Sequence, residues 1–353
     1  MMLHYDINEE VLRDQWAILV RYDKTATNLK GKSTHRRRIV VFIIFFASIA
    51  SIFTGIQVQP TIIALSIVVV AIILPTVAAV ILQDTTTFHG STDWIKFRFI
   101  AETIRMHIYQ YRTGTGEFVN CTTKTADNKL NEVVEKSISF IEDAPNLDLL
   151  MTIEDEDLDD AIKNANSSSD REDGMIAIKF EDYIEWRVKE QQNWYRRAIA
   201  KDRNMQASLT RTGIIMGGLG ITIAGLIGLL INPQLVILVA IINIAIVAIE
   251  SWENVNLIGK SRSIFVTTDE ILNRSFTRFK ARKNDDDCEA NELICQREFV
   301  NEVETLLDWE RREWYKIVLA AQIEAADVVY EQVAKLAQQN NPNPDNTSTT
   351  KDK

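Results

Sequence analysis

Residues 39–82 read IVVFIIFFASIASIFTGIQVQPTIIALSIVVVAIILPTVAAVIL and contain no Asp, Glu, Lys or Arg. Residues 212–249 form a second stretch that lacks the same four residue types. A helix on the surface of a water-soluble domain needs a polar face, and these stretches have none. They exclude a purely globular soluble chain, although the whole sequence, with 353 residues, a net charge of −10 and 46% hydrophobic residues, has an ordinary acidic composition.

Each charge-free stretch has the length of two membrane helices, because a bilayer core requires about 20 helical residues. Turn signals around Pro60 and Pro233 divide the two stretches into pairs of helices. The sequence therefore predicts an all-α polytopic membrane protein with two tandem transmembrane hairpins and long cytoplasmic amphipathic helices. The four predicted spans lie at about 39–56, 62–82, 212–231 and 235–252.

The placement of basic residues predicts the orientation of the hairpins. Lys and Arg precede both charge-free stretches, whereas the turns within the stretches carry neither residue. The positive-inside rule then places both termini on the cytoplasmic side of the inner (plasma) membrane. The residues expected to anchor the first helix at anionic lipid headgroups are Arg36, Arg37 and Arg38.

The surroundings of the two stretches indicate an internal repeat. Tyr22 and Tyr195 lie equally far ahead of the two stretches, and Glu102 and Glu270 lie almost equally far behind them. We interpret this as two copies of a module consisting of a basic helix, a membrane hairpin and an amphipathic helix. The predicted domains are a first module at 1–120, an acidic cytoplasmic linker at 121–180, a second module at 181–339 and a disordered tail at 340–353.

Two amphipathic helices have distinct apolar faces. A stripe with helical spacing follows the first hairpin, with charged residues on its other faces. A heptad-like seam runs along the C-terminal helix and is interrupted by Glu310 and Glu324. This seam favours packing within the chain, and pairing between subunits is the alternative. The stripe consists of Trp94, Phe97, Ala101, Ile104, Ile108 and Tyr111, and the seam includes Val300, Val303, Leu307 and Trp314.

The sequence nominates no catalytic residues, and we expect no enzyme activity, cofactor, metal or nucleic-acid partner. The four His form no pair at the helical spacing of metal ligands. Gly114-Thr115-Gly116 is interpreted as a helix terminator rather than a dinucleotide fingerprint, because it follows a helix. Three Cys residues exclude a disulfide scaffold and are expected to be unpaired thiols in a reducing cytosol.

Small residues at i, i+4 spacing allow membrane helices to approach closely. They are expected either to pack the four helices of one chain or to form the interface of a homo-oligomer. These positions are Ala47, Ser51, Gly55, Gly213, Gly217, Gly220, Ala224 and Gly228.

A few polar residues and one proline in or beside the predicted spans have two interpretations each. Asn243 is expected to hydrogen-bond another helix or to line a pore. Pro75 is expected to kink the second helix. Asp84 and Glu250 are either the first charged residues past the membrane or members of acidic rings that attract cations.

The run Gln192-Asn193-Trp194-Tyr195-Arg196-Arg197-Ala198 resembles the SMODS- and SLOG-associating two-transmembrane effector (SLATT) domains. Residues 299–304 and Trp314 are similar to the closing helix of that family. Tyr22-Asp23 together with Arg98, Ala101 and Glu102 resembles a second, more diverged copy, so the resemblance predicts two tandem copies.

The resemblance implies a prokaryotic membrane effector that perturbs or permeabilises the inner membrane on a cytoplasmic signal in a defence or conflict system. The implied partners are the lipid bilayer, further copies of the chain and a cytoplasmic sensor or nucleotide signal. Two alternatives follow from the residues themselves. One is a constitutive oligomeric ion channel or transporter, and the other is a membrane-anchored cytoplasmic scaffold.

Overall fold

The computed structural model describes residues 6–54, 90–139, 149–152, 175–230, 241–242, 245–246, 261–283, 288 and 291–340. These ranges are helical or irregular and contain no strand, which confirms the all-α prediction for this part of the chain. The helices are α1 (Glu9–Thr54), α2 (Gly90–Thr113), α3 (Thr123–Ser139), α4 (Phe180–Tyr183), α5 (Glu190–Leu230), α6 (Arg262–Arg282) and α7 (Glu292–Asn340), with a π-helix at Ile184–Lys189 and a 3₁₀ turn at Gly116–Phe118.

The basic segments ahead of the charge-free stretches are continuous with them. Helix α1 runs through Arg36 into the first stretch, and α5 runs through Arg211 into the second. No helix in the described part of the chain combines the length and hydropathy of a membrane-crossing segment. The predicted spans at 62–82 and, for the most part, 235–252 lie outside the described residues.

The chain divides into two compact units. The first unit contains Met1–Lys32, His89–Gln206 and Leu257–Leu319, and the second contains Ser33–Phe88, Ala207–Asn256 and Ala320–Lys353. The first unit therefore collects amphipathic helices from both halves of the sequence. The second unit contains both charge-free stretches, and only a part of it is described.

In the first unit, α2 carries the apolar stripe that the sequence predicts. All six stripe residues are buried, and Phe97, Ala101, Ile104 and Ile108 join a core formed with α1 and α3. The spacing of three and four residues places these side chains on one face of the helix, which explains the shared burial. The prediction of the stripe is confirmed.

Helix α3 lies within the range that the sequence assigned to an acidic linker. It buries Ala126, Leu130, Val133 and Val134 in the core with α1 and α2. The linker therefore does not begin at residue 121, because this apolar face makes residues 123–139 part of the folded unit. The most acidic part of the assigned linker lies largely outside the described residues.

The seam of α7 packs against the other helices of the second half. Val300, Val303 and Leu307 are buried with Val188 and Leu272. Packing within the chain is therefore confirmed for this part of α7.

The structure also joins Cys288 to Cys295 as a disulfide, with a Cα–Cα distance of 6.0 Å, so the expectation of three unpaired thiols is wrong for this pair.

The tyrosines that revealed the repeat occupy similar surroundings in the two halves. Tyr22 packs against Phe97 with their ring centroids 5.6 Å apart, and Tyr195 packs against Phe265 at 5.7 Å. In each half, a tyrosine ahead of the charge-free stretch thus contacts a phenylalanine on the helix that follows it. Glu102 and Glu270 differ, because Glu102 lies in a cluster of arginines whereas Glu270 is exposed.

The segment after α2 terminates that helix, as the sequence predicts. Gly114 and Gly116 have φ values of 63° and 58°, a left-handed conformation that favours glycine. The Gly116 N–H donates to Asn301 Oδ1 on α7 at 2.8 Å. The turn therefore connects the first half of the chain to the closing helix.

Replacing Gly116 by Ala is expected to destabilise the protein by about 1–2 kcal/mol, because a side chain is strained at this φ. A Cβ atom there would also lie 2.8 Å from Gln110 Nε2. Gly31→Ala is the matched control in an open position within α1, and it should stabilise by about 0.5–1 kcal/mol. Urea unfolding of the full chain in mild detergent, followed by circular dichroism, measures both changes. Effects of the same sign would contradict this reading of the turn.

Candidate functional site

A π-helix aligns two donors on one buried carboxylate. Tyr183 immediately precedes the π-helix, and Arg187 lies within it. The Tyr183 hydroxyl donates to Glu304 Oε1 at 2.9 Å, while Arg187 Nε and Nη2 donate to Oε1 and Oε2, both at 3.0 Å. Single π turns occur often at functional sites, which makes this segment a candidate.

Water does not reach the Glu304 carboxylate of this ion pair. Glu304 has no exposed surface, and the Arg187 side chain is 8% exposed. The Arg187 guanidinium lies over the Tyr109 ring at 4.7 Å from its centroid. Two charged donors and one hydroxyl compensate the desolvation of the carboxylate, and the aromatic face adds a cation–π contact from α2.

A second carboxylate on α2 is shared by two arginines. Glu102 Oε1 lies 2.6 Å from Arg98 Nη2 and 2.7 Å from Arg105 Nη1. Arg98 also pairs with Asp23 on α1. The charged residues that the sequence placed on the other faces of α2 thus form a network between helices.

Burial alone would raise the pKa of Glu102, but nearby guanidinium groups outweigh it and lower this pKa to about 2. Glu102 therefore carries a negative charge throughout the physiological range. The responsible groups, in order, are Arg105, Arg98, Arg187 and Arg311.

Glu310 lies near the same network, but its surroundings raise its pKa, whereas those of Glu102 lower the pKa of that residue. Burial raises its pKa to about 7, and repulsion by Glu102 adds to this. The Tyr195 hydroxyl, Arg187 and Arg98 act in the other direction without reversing the shift. Within the described part of the chain, Glu310 has no basic side chain at ion-pair distance. This carboxyl group therefore changes its charge close to neutral pH.

Arg311 completes the cluster on α7. It pairs with Asp308, and its guanidinium lies 5.1 Å from the centroid of the Phe99 ring on α2. Burial lowers the pKa of Arg311 to about 10. The guanidinium therefore stays positively charged at neutral pH.

These residues constitute the candidate site, which we call the ionic cluster. Its members are Asp23, Arg98, Glu102, Arg105, Tyr183, Arg187, Tyr195, Glu304, Asp308, Glu310 and Arg311. The arrangement can couple protonation or charge binding to helix packing, because α1, α2, the π-helix, α5 and α7 all contribute charged or polar groups. Within the described ranges, no group of three His, Cys, Asp or Glu side chains is placed to hold a metal ion.

The structure describes only some of the residues that the sequence singled out. Gly220 approaches a neighbouring segment, since a Cβ atom there would lie 3.2 Å from Ile242 Cγ2. Gly213 and Gly217 have no described atom within 4 Å of such a position. Arg36 is exposed and Arg38 is half-buried on α1. The roles proposed for these residues in packing, oligomerisation and lipid anchoring stay predictions.

The remaining candidates fall outside the described part of the structure. For one group, the backbone is helical but the side chains are not described, and for the other, the whole residue lies outside the described ranges. The first group is Arg37, Ala47, Ser51, Ala224 and Gly228, and the second is Gly55, Pro75, Asp84, Asn243 and Glu250.

Sequence reasoning named Glu102 and Glu310 but missed the ionic cluster. Glu310 was noted only as an interruption of an apolar seam. Glu304 lies one turn after Val300 and one turn before Leu307, so its spacing already placed it beside that seam. A charged residue at such a position requires a buried partner, and this signal could have nominated Glu304. The partner Arg187, distant in sequence, had no comparable signal.

Comparisons with protein families agree in part with the resemblance. Residues 183–314 match the family model described as SMODS and SLOG-associating 2TM effector domain 1. Residues 19–126 match a different model, described as Protein of unknown function (DUF4231). The similarity to two-transmembrane effector domains is thus supported for the second half, and two tandem copies of one family are not confirmed. Neither a curated protein nor a solved structure matches the chain.

Removing one member of the Arg187–Glu304 pair is expected to destabilise the protein by about 3–5 kcal/mol, because the other charge stays buried without a partner. Replacing both in the double variant Arg187→Met/Glu304→Leu should recover most of this loss. Thermal unfolding of the two single variants and the double variant provides a double-mutant cycle. Strictly additive losses would contradict a direct, buried pairing.

Glu102 is expected to make the protein sensitive to acid. Its pKa in the folded protein is about 2, against an ordinary value of 4.5, so its stabilising charge is fully present above pH 4.5 and is lost as the pH falls towards 2. Glu102→Gln should therefore lower the free energy of unfolding at pH 7 by about 2–3 kcal/mol. It should also weaken the dependence of this free energy on pH below 4.5.

Glu270→Gln is the matched control, because Glu270 is exposed and pairs only within α6. Its effect should stay within about 0.5 kcal/mol. Urea unfolding between about pH 3 and about pH 7 measures both variants. Equal pH profiles for the two would contradict the stated role of Glu102.

Proposed function

We propose that the protein is an integral membrane effector, which perturbs or permeabilises the prokaryotic inner membrane on a cytoplasmic signal in a defence or conflict system. The observation that carries this proposal is the match of residues 183–314 to a two-transmembrane effector domain. The two charge-free stretches support four membrane spans with both termini in the cytoplasm.

Exposed apolar side chains on α1 and α5 support membrane contact. On α5, Ile214 and Ile221 are 69% and 77% exposed, and Phe46 on α1 is 56% exposed. A protein surrounded by water rarely displays such a series of large apolar side chains. Hydrocarbon is the environment that would cover them favourably. Both charge-free stretches also continue in the sequence past residues 54 and 230, the last described residues of α1 and α5.

The first unit is proposed as the part that receives the signal. It contains the ionic cluster, to which both halves of the sequence contribute, and a cluster of this kind responds to changes in charge. A cytoplasmic sensor or a nucleotide signal is the proposed trigger, and a homo-oligomer is the proposed membrane assembly. Packing at the small residues of α5, such as Gly220 against Ile242, is compatible with a close-packed assembly.

Induced expression together with a membrane-potential dye tests the proposal, in cells with and without phage infection. The wild-type chain should depolarise the membrane in at least one of these conditions. Ile221→Lys should abolish the depolarisation, because a lysine near the middle of a membrane helix costs about 2.5–3.5 kcal/mol.

Val266→Lys is the matched control, since Val266 is an exposed apolar residue on α6, outside the charge-free stretches. This variant should depolarise the membrane as the wild type does. No depolarisation by the wild type in either condition would contradict the proposal. Depolarisation unaffected by Ile221→Lys would contradict the proposed lipid contact of α5.

A further inference from the structure

We propose that Cys288 and Cys295 are a site of reversible thiol oxidation, at which a disulfide fixes the start of α7 against the core. The disulfide in the structure is the oxidised form, and a dithiol is the form that a reducing cytoplasm produces. The link from this site to membrane permeability rests on the proposed effector function, whereas the effect on α7 follows from the geometry of the first unit.

Cys288 and Cys295 flank the start of α7. Cys288 precedes the helix, and Cys295 lies in its first turn, with their Cα atoms 6.0 Å apart. The Asn291 N–H donates to the Cys288 carbonyl oxygen at 3.3 Å, and the Cys295 N–H donates to the Asn291 carbonyl oxygen at 3.2 Å. These backbone contacts hold the two cysteines at a separation that suits a disulfide.

The two cysteines belong to the core that α6 and α7 share. Cys288 is 5% exposed and Cys295 is 8% exposed, and both join the cluster that contains Phe279 of α6 and Phe299 of α7. The two phenylalanine rings lie 4.8 Å apart, and Phe299 stands one turn after Cys295 on the same face of the helix. The disulfide therefore ties the connection between the helices to the face of α7 that packs on α6.

The ion pairs at this end of α6 and α7 lie at the surface. Arg282 Nη2 lies 3.0 Å from Glu298 Oε2, and Lys283 Nζ lies 3.6 Å from Glu292 Oε1. All four side chains are more than half exposed, and exposed pairs contribute little to stability because water screens them. The disulfide is the covalent constraint at this end of the helix pair, so its reduction should let the first turn of α7 open more often.

The first unit tolerates both redox forms of the pair. A buried thiol behaves as a small apolar side chain with a weak donor, so the reduced cysteines fit the same core. In the proposed cytoplasmic location, thiol reductants keep most cysteines reduced, and the disulfides that form there are usually transient and catalytic or redox-sensing. The location and the burial together favour a reversible bond over a permanent one.

Oxidation of the pair requires an oxidant of the peroxide class. One thiolate attacks an oxygen atom of hydrogen peroxide and forms a sulfenic acid, and the other oxygen atom takes up a proton and leaves as water. The second thiol then attacks the sulfenic sulfur, the S–S bond forms and a second water leaves. Two thiols and one peroxide thus give one disulfide and two waters, with two electrons passing from sulfur to oxygen.

The return to the dithiol requires a thiol reductant. Its thiolate attacks one sulfur of the Cys288–Cys295 bond and forms a mixed disulfide, and a second reductant thiol then releases the protein thiol. The reductant leaves as a disulfide, so the two electrons return to the protein.

Redox trapping of the full chain in liposomes tests whether the bond is reversible. A buffer of mostly reduced glutathione should convert the pair into thiols, and hydrogen peroxide added after removal of the glutathione should restore the disulfide. Acid quenching, alkylation and peptide mass spectrometry measure the two forms. A pair that stays oxidised in the glutathione buffer, or that peroxide does not restore, would overturn the proposal.

Hydrogen exchange of the same samples measures the effect on α7. Amides of residues 295–300 should exchange about 10- to 100-fold faster in the reduced chain, because the disulfide no longer restricts the opened state. Amides of α3 should exchange equally in both forms, because α3 packs in a different core. Equal exchange of residues 295–300 in the two forms would overturn the proposal.

Cys295→Ser and Cys121→Ser are the matched variants. Cys295→Ser does not form the bond, so residues 296–300 should exchange rapidly in both redox buffers. Cys121 is the third cysteine of the chain, and its thiol donates to the Glu117 carbonyl oxygen at 3.6 Å, so Cys121→Ser should retain the wild-type response. A response that persists in Cys295→Ser or disappears in Cys121→Ser would overturn the proposal. The reduced wild-type chain gives the same comparison without a substitution, even where Cys295→Ser does not fold.

Dye release from the same liposomes separates this inference from the proposed function. Redox-dependent exchange at the start of α7 without dye release in either form would support the oxidation site and would count against the effector function. Dye release without redox-dependent exchange would support the effector function and would overturn the oxidation site.

Discussion

The contact between Arg187 and Glu304 is the interaction on which the first unit depends. Glu304 has no exposed surface, and both of its carboxylate oxygens accept hydrogen bonds from Arg187. A buried carboxylate is tolerated only with such partners. Tyr109 on α2 lies against the same guanidinium, so one ion pair connects the π-helix, α7 and the first half of the chain.

This interaction helps to join two halves of the sequence, which match different family models, within one compact unit. Apolar packing alone would allow α2 to slide along α7, because such packing is not directional. The bidentate ion pair and the Gly116–Asn301 hydrogen bond fix the register of these elements. The same cluster also contains Glu310, whose pKa is raised by burial and by the charge of Glu102.

The fold was predictable where it depends on local periodicity. The stripe of α2 and the seam of α7 follow from helical spacing, and the glycines after α2 predicted its end. Helix α3 was missed because the acidic residues that follow it dominated the composition of that region, although its own apolar spacing is regular. The Cys288–Cys295 disulfide was missed because an odd number of cysteines and an expected reducing compartment both argued against pairing.

The ionic cluster could be predicted only in part. Glu304 and Glu310 stand beside an apolar seam, which is a visible anomaly in the sequence. The partner of Glu304, Arg187, lies 117 residues away in the sequence, and no spacing rule relates such distant side chains. The membrane hypothesis comes from the charge-free stretches, which are a local pattern that is visible in the sequence.

Electron cryomicroscopy of the full chain in lipid nanodiscs tests the whole account most directly. Residues 39–82 and 212–249 should lie within the lipid disc. Glu304 should contact Arg187 and Tyr183 in the part outside the lipid, and several copies of the chain should surround a common axis. A monomer with both stretches outside the lipid, or with Glu304 exposed to solvent, would contradict it.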